Sequence, residues 1–204
     1  MSKTIVLASN NAGKVREISA MLADLPVSVV AQSQFNLPSV EETGLTFVEN
    51  ALIKARYAAT HSGLAAIADD SGIEVDALKG QPGIYSARYA SVDATVEASD
   101  SANNRKLLAA LSVVPEAERT ARFVCLMVYL RFPEDPTPLL AQGVWEGRIT
   151  FEPHGQAGFG YDPVFFVPSH GCTSAQLEPA VKNSLSHRGQ ALRQLVAALH
   201  RLKM

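Results

Sequence analysis

Thr4-Ile5-Val6-Leu7-Ala8-Ser9-Asn10-Asn11-Ala12-Gly13-Lys14-Val15 is the stretch whose reading decides the fold. Residues 4–8 form a short apolar run with β-branched members, which predicts a strand. A polar, glycine-containing loop follows, and then Val15, Ile18, Met21, Leu22 and Leu25 recur at helical spacing. The unit is strand, loop, helix. A second strand is predicted over residues 27–31. After a connection containing Pro38, a helix is predicted over residues 46–61, carrying Phe47, Ala51, Ala55 and Ala58. The chain therefore opens β-α-β-α.

Further along, residues 65–68 read as a buried strand ending in Asp69-Asp70-Ser71-Gly72, with residues 73–78 as its continuation into a hairpin partner. Residues 101–111 are weakly helical. The runs 121–131 and 139–151 read as paired strands joined by a turn whose Pro133, Pro136 and Pro138 preclude regular structure. Leu192, Leu195, Val196, Leu199 and Leu202 predict a closing amphipathic helix. Helices mixed with strands and hairpins imply an α/β fold on a mixed sheet. No repeat or linker divides the chain, which is read as a single domain, 1–204.

Composition excludes several classes of function. The 204 residues are 47% hydrophobic and 19% charged, ample for a core, and a formal net charge of −2 without a long basic run argues against nucleic acid as a partner. The two cysteines, Cys125 and Cys172, form no CxxC pair, so neither a disulfide framework nor a zinc site is expected. The apolar run at residues 124–130 is too short to span a bilayer, and the first nine residues lack the apolar length of a signal peptide; no membrane association and a cytoplasmic location are expected.

Four segments could carry chemistry. Ser9, Asn10, Asn11, Ala12, Gly13 and Lys14 lie between strand and helix, where backbone N–H groups and a helix N-terminus suit an anion; with Ala8 and Val15 where a Walker A loop needs Gly and Ser or Thr, this is no P-loop. The acids Glu41-Glu42 and Asp69-Asp70 offer hard oxygen ligands for Mg²⁺ or a base toward water, although Asp-Asp-Ser-Gly also reads as an ordinary polar turn. Side chains alternate along a strand, so only one acid of a pair faces a given side. Gly158-Phe159-Gly160-Tyr161-Asp162-Pro163 brings aromatics onto a loop, either as a platform for a base or as a turn that packs Phe159 inward. Lys182, His187 and Arg188 gather hydrogen-bond donors ahead of the last helix, where Ser186 could equally be an N-cap.

In order and wording these segments resemble the inosine/xanthosine triphosphate pyrophosphatase family, which removes deaminated purine triphosphates. The resemblance also draws on Glu41-Glu42-Thr43-Gly44-Leu45-Thr46-Phe47, Glu49-Asn50-Ala51 with Lys54-Ala55, and Pro82-Gly83-Ile84-Tyr85-Ser86-Ala87-Arg88-Tyr89, and so runs through nearly the whole chain. It implies an α/β protein with an elongated central mixed sheet flanked by helices, two lobes with a nucleotide cleft between them, and a homodimer. It further implies that Ser9 to Lys14 hold the triphosphate, that Glu41 and Asp70 bind Mg²⁺, and that Asp70 is the base toward the attacking water. Ser71 would touch substrate, Phe159 would stack on the purine, Gly160, Tyr161 and Asp162 would shape its pocket, and Lys182, His187 and Arg188 would contact the base. The implied reaction cuts ITP, dITP or XTP to the monophosphate and pyrophosphate. Residues 91–104 match the family less clearly and are expected to lie outside the chemistry.

Overall fold

The computed structural model describes residues 3–22, 27–93 and 96–201. Seven strands form one mixed sheet: β1 (Lys3–Leu7), β2 (Val27–Ala31), β3 (Ala65–Val75), β4 (Thr120–Leu130), β5 (Leu139–Ile149), β6 (Phe165–Val167) and β7 (Cys172–Thr173), in the order β2-β1-β3-β4-β5-β6-β7. Strand β1 pairs in parallel with β2 and with β3, whereas β5, β6 and β7 pair antiparallel. The helices are α1 (Ala12–Leu22), α2 (Phe47–Ser62), α3 (Asp100–Ala110), α4 (Pro179–Leu185) and α5 (His187–Arg201). The predicted β-α-β-α opening is present; Leu25 and Leu202 fall outside the described residues.

The chain divides into two compact units, the first made of Met1–Asp70, Cys125–Gly143 and Arg188–Met204. Its strands bury both faces. Ile5, Leu7 and Ile67 pack with Ile18 and Leu22 of α1 and with Leu192, Leu195 and Leu199 of α5. Val6, Ala8, Ala66 and Ala68 pack instead with Ala51, Ala55, Ala58 and Ala59 of α2. In β1 and in the first half of β3, odd-numbered residues thus face α1 and α5 and even-numbered ones face α2, as the two-residue period of a strand requires. Helix α2 starts at Thr46, whose hydroxyl accepts the Glu49 N–H while Glu49 accepts from Leu45 N–H and the Thr46 hydroxyl; it stops at Gly63 with φ +69°.

The second unit is Ser71–Val124 with Val144–His187. Its core joins Ile73, Val75, Leu107, Phe123, Trp145, Ile149 and Phe165. Arg119 is buried and donates to the carbonyls of Leu111, Val114 and Thr150, which ties the end of α3 to the exit of β5.

Two expectations are corrected. The predicted hairpin at residues 65–78 does not form: β3 runs unbroken from Ala65 to Val75 and only then turns, through a 3-10 segment at Asp76–Leu78. Asp69-Asp70-Ser71-Gly72 is mid-strand, because long-range cations and not local turn bonds satisfy its acids. Helix α4, which starts on Pro179 in a segment short of apolar periodicity, was not foreseen.

Gly147 of β5 lies where an added Cβ would come within 2.5 Å of both the Phe165 ring and the Phe166 carbonyl oxygen. The Phe165 ring is itself hemmed in, its centroid 4.5 Å from Phe123 and 5.2 Å from Trp145. Gly147→Ala is therefore expected to destabilise the protein by about 1–3 kcal/mol, read as a lower urea midpoint; an unchanged midpoint would contradict this packing.

Candidate active site

In the first unit the site is built on the pleat of β3. Asp69, an odd-numbered position, faces α1 and α5 and meets a cation from each: Lys14 Nζ at 2.9 Å and Arg188 Nε at 3.8 Å, both from Asp69 Oδ2. Asp70, an even-numbered position, faces α2, where Lys54 Nζ lies 2.7 Å from its Oδ1. The same ammonium is 2.8 Å from Glu42 Oε1. One lysine therefore joins β3, α2 and the loop before α2.

The two aspartates sit in opposite electrostatic surroundings. Burial raises the pKa of Asp69, but Lys14, Arg188 and Lys54 outweigh it and hold the group well below the usual carboxylate range. Burial also raises Asp70; Lys54 and Lys14 oppose this, Glu42 adds to it, and the net shift is upward. Lys54 is held above its ordinary value: burial lowers it, but Asp70, Glu42 and Asp69 together overcome that. Asp69 is thus a fixed anion, and Asp70 is more basic than an ordinary aspartate. Asp70 Oδ2 is buried and meets no hydrogen-bond partner among the described residues.

The loop after β1 leads into the N-terminus of α1. Asn11 Oδ1 accepts the Lys14 N–H at 3.0 Å, capping α1, and Asn10 Nδ2 donates to Ser39 Oγ at 2.9 Å. The other N–H groups of the first helical turn have no intrahelical acceptor, which leaves a positive helix end beside Lys14. Ser9 is half-buried, Asn10 and Asn11 are exposed, and Gly13 lies within the helix. In the loop before α2, Asn50 Oδ1 accepts the Gly44 N–H at 2.8 Å, and a Cβ on Gly44 would meet Asn50 and Glu49 closer than real contacts allow. Glu41 is exposed in that loop, next to the lysine-paired Glu42.

In the second unit the aromatic loop is ordered around Asp162, which is buried. Its Oδ2 accepts the Phe159 N–H at 2.9 Å and Lys182 Nζ at 2.6 Å, and its Oδ1 accepts the Ser174 hydroxyl at 2.8 Å. Lys182 Nζ also lies 5.1 Å from the centre of the Phe159 ring. Gly158 (φ +83°) and Gly160 (φ +63°) both occupy the left-handed region, and a Cβ on Gly158 would collide with the Asp162 carboxylate. Tyr161 is buried and donates its hydroxyl to the Ser86 carbonyl at 2.8 Å.

The expected donors Lys182, His187 and Arg188 face different partners. Lys182 is on Asp162, His187 stacks on Phe123 with centroids 4.7 Å apart, and Arg188 turns toward Asp69. Ser71 follows Asp70 on β3, half-buried. Sequence reasoning offered Glu42 and Asp69 only as members of acidic pairs and gave no individual role to Lys54, Asp100 or Asn104. The pairing of Asp69 with Asp70 was a visible signal, since alternation sends one acid to each face. Lys54 carried none, because a lysine inside a helix reads as solvent-facing.

Asp69→Asn would leave Lys14 and Arg188 facing a neutral amide and is expected to cost about 3 kcal/mol at neutral pH. The folded pKa of Asp69 lies below its ordinary 3.8, so the carboxylate's contribution is complete above about pH 4 and is lost as pH falls toward the depressed value. Urea unfolding at pH 7 and near pH 3 checks this: the gap between wild type and variant should narrow in acid, and a constant gap would refute it.

Residues 5–198 match the family model described as Ham1 family. A curated dITP/XTP pyrophosphatase of Vibrio parahaemolyticus is 61% identical over 197 residues, 97% of this chain and 96% of that protein. One from Thioalkalivibrio sulfidiphilus is 59% identical over 195 residues, 96% of this chain and 97% of its own length. A solved structure titled as a HAM1 protein from Coxiella burnetii superposes with a TM-score of 0.90 at 48% identity, covering 98% of this chain and 99% of that one. The chain belongs to the Ham1 family.

Proposed function

We propose that this chain is a Mg²⁺-dependent nucleoside triphosphate pyrophosphatase that cuts the α–β phosphoanhydride of ITP, dITP and XTP, giving the monophosphate and pyrophosphate and clearing these nucleotides from the pool. The observation that carries the chemistry is Asp70: buried, raised in pKa, with one oxygen on Lys54 and the other without a hydrogen-bond partner among the described residues. The choice of substrate is supported by full-length relatives named for dITP and XTP. The whole chain, 1–204, acts as one catalytic domain, in the cytoplasm and as a homodimer. No helix among the described residues is long and apolar enough to cross a membrane.

The donor set fits Mg²⁺. The free Asp70 oxygen is a hard ligand, and the described residues hold no ready-made group of three metal-binding side chains, as suits an ion that takes one or two carboxylates and completes its shell with phosphate oxygens and water. Asp70 and Glu41 would hold it. When bound, it supplies charge neutralisation on the phosphate oxygens.

Lys54 holds Asp70 Oδ1, which leaves Oδ2 to serve both the metal and the attacking water. Asp70 takes a proton from that water as its oxygen bonds to the α-phosphorus, and the bridging oxygen leaves with pyrophosphate. In the metal-free protein burial shifts Asp70 upward, the direction that suits a proton acceptor. Lys14 and the N-terminus of α1 offset phosphate charge, with Asp69 fixing where the lysine reaches. Ser9 to Gly13 supply backbone and side-chain donors to the triphosphate, and Ser71 touches the substrate.

Phe159 stacks on the purine, while Gly160, Tyr161 and Asp162 shape its surroundings. Lys182, His187 and Arg188 offer donors to the base. Hypoxanthine and xanthine present an acceptor at O6 where adenine presents a donor, and facing donor to donor costs about 1–3 kcal/mol, enough for a selectivity of about 5- to 150-fold.

The test incubates the protein with Mg²⁺ and each of ITP, dITP, XTP, ATP and GTP, with an EDTA control, and assays pyrophosphate and orthophosphate separately. Metal-dependent pyrophosphate from the first three is expected; orthophosphate from ATP, or no turnover, would refute the reading. Asp70→Asn should lower kcat by roughly 10²–10⁴-fold, the usual worth of a general base, and leave nucleotide binding in place; a fully active variant would remove Asp70 from the mechanism.

A further inference from the structure

Helix α3 grips the aromatic loop at one residue. The Gly160 N–H donates to Asp100 Oδ2 at 2.7 Å, and the Gly160 carbonyl accepts from Asn104 Nδ2 at 3.0 Å. Asp100 and Asn104 are one helical turn apart and share a face of α3. On the other side of Phe159, its own N–H is held by Asp162 at 2.9 Å. Both peptide planes that bracket Phe159 are therefore fixed by carboxylates, and with them its backbone torsions.

That grip matters because the loop has little stiffness of its own. Gly158 and Gly160, on either side of Phe159, both sit at positive φ, and glycine pays no steric penalty for leaving it. The support, by contrast, is well anchored. Ser99 caps α3 by accepting the Ala102 N–H at 3.3 Å. Asn103, buried beside Asn104, accepts the Ala90 N–H at 2.8 Å and donates to the Ala87 carbonyl at 3.1 Å. Arg119 holds the Leu111 carbonyl at the far end of the helix. The segment 91–104, expected from sequence to lie outside the chemistry, thus supplies both hydrogen bonds on Gly160.

We propose that Asp100 and Asn104 are positioning residues for nucleobase recognition, acting through Gly160 to hold the Phe159 ring in its stacking pose. The proposal rests on the reading of Phe159 as the purine platform. Neither residue touches the substrate, and neither takes part in the phosphate chemistry. Their loss should weaken grip on the base and leave the bond-breaking step alone.

The experiment compares wild type, Asp100→Ala, Asp100→Asn and Asn104→Leu by steady-state kinetics on ITP with Mg²⁺, and by competitive inhibition with IMP and with inorganic tripolyphosphate. Asp100→Ala and Asn104→Leu should each raise KM for ITP and Ki for IMP roughly tenfold, the effect of losing one well-made polar contact, with kcat and the tripolyphosphate Ki changed less than about twofold. Asp100→Asn keeps an oxygen for the Gly160 N–H and should restore KM. A merely structural role would lower kcat and the unfolding midpoint while leaving KM unchanged, and that result overturns the clamp; so does an equal rise in Ki for IMP and tripolyphosphate. A wild-type protein inactive on ITP overturns the functional reading, and the clamp with it.

Discussion

Neighbouring side chains on an extended strand point to opposite faces, and β3 places two aspartates next to each other where both faces are buried. The cation pairs around β3 follow from that. A buried carboxylate must find a cation or lose its charge, so each face has to supply one. Lys14 and Arg188 arrive from α1 and α5 on one side, and Lys54 arrives from α2 on the other. The same pleat that sorts Ile67 from Ala68 into different cores sorts Asp69 from Asp70 into different roles.

The packing around α2 explains how a lysine inside a helix reaches a buried strand. Ala51, Ala55, Ala58 and Ala59 meet Val6, Ala8, Ala66 and Ala68, so small residues line the contact. Large side chains there would hold the helix further off, beyond the 2.7 Å that Lys54 keeps to Asp70. At its start, α2 also anchors the loop bearing Glu41 and Glu42, through Asn50 on Gly44 and Glu49 on Leu45 and Thr46. A cation, a strand acid and a loop acid are so brought together by one helix.

Much of this was legible in the sequence. Strands and helices with clear periodicity, from β1 to α2 and again in β4, β5 and α5, follow from apolar spacing alone, since burial on a helix or strand face is what that spacing records. The reading failed at residues 65–78, where Asp69, Asp70, Ser71 and Gly72 carry the local chemistry of a turn. Their cations come from residues more than fifteen positions away in the chain, and a window of local pattern does not register them. The roles of Asp100 and Asn104 were hidden likewise, because both act on Gly160, 60 and 56 residues further on. Long-range hydrogen bonds show how the loops that carry the family's motifs are held.

The most direct test of the two-faced strand is a carboxyl NMR titration of the metal-free protein with ¹³C-labelled aspartate, Asp69 and Asp70 being assigned by single Asn substitutions. The account predicts that Asp70 titrates above the ordinary 3.8 while Asp69 stays ionised well below it. Two neighbouring carboxylates titrating together near that ordinary value would mean that the pleat does not separate them, and the account would fail.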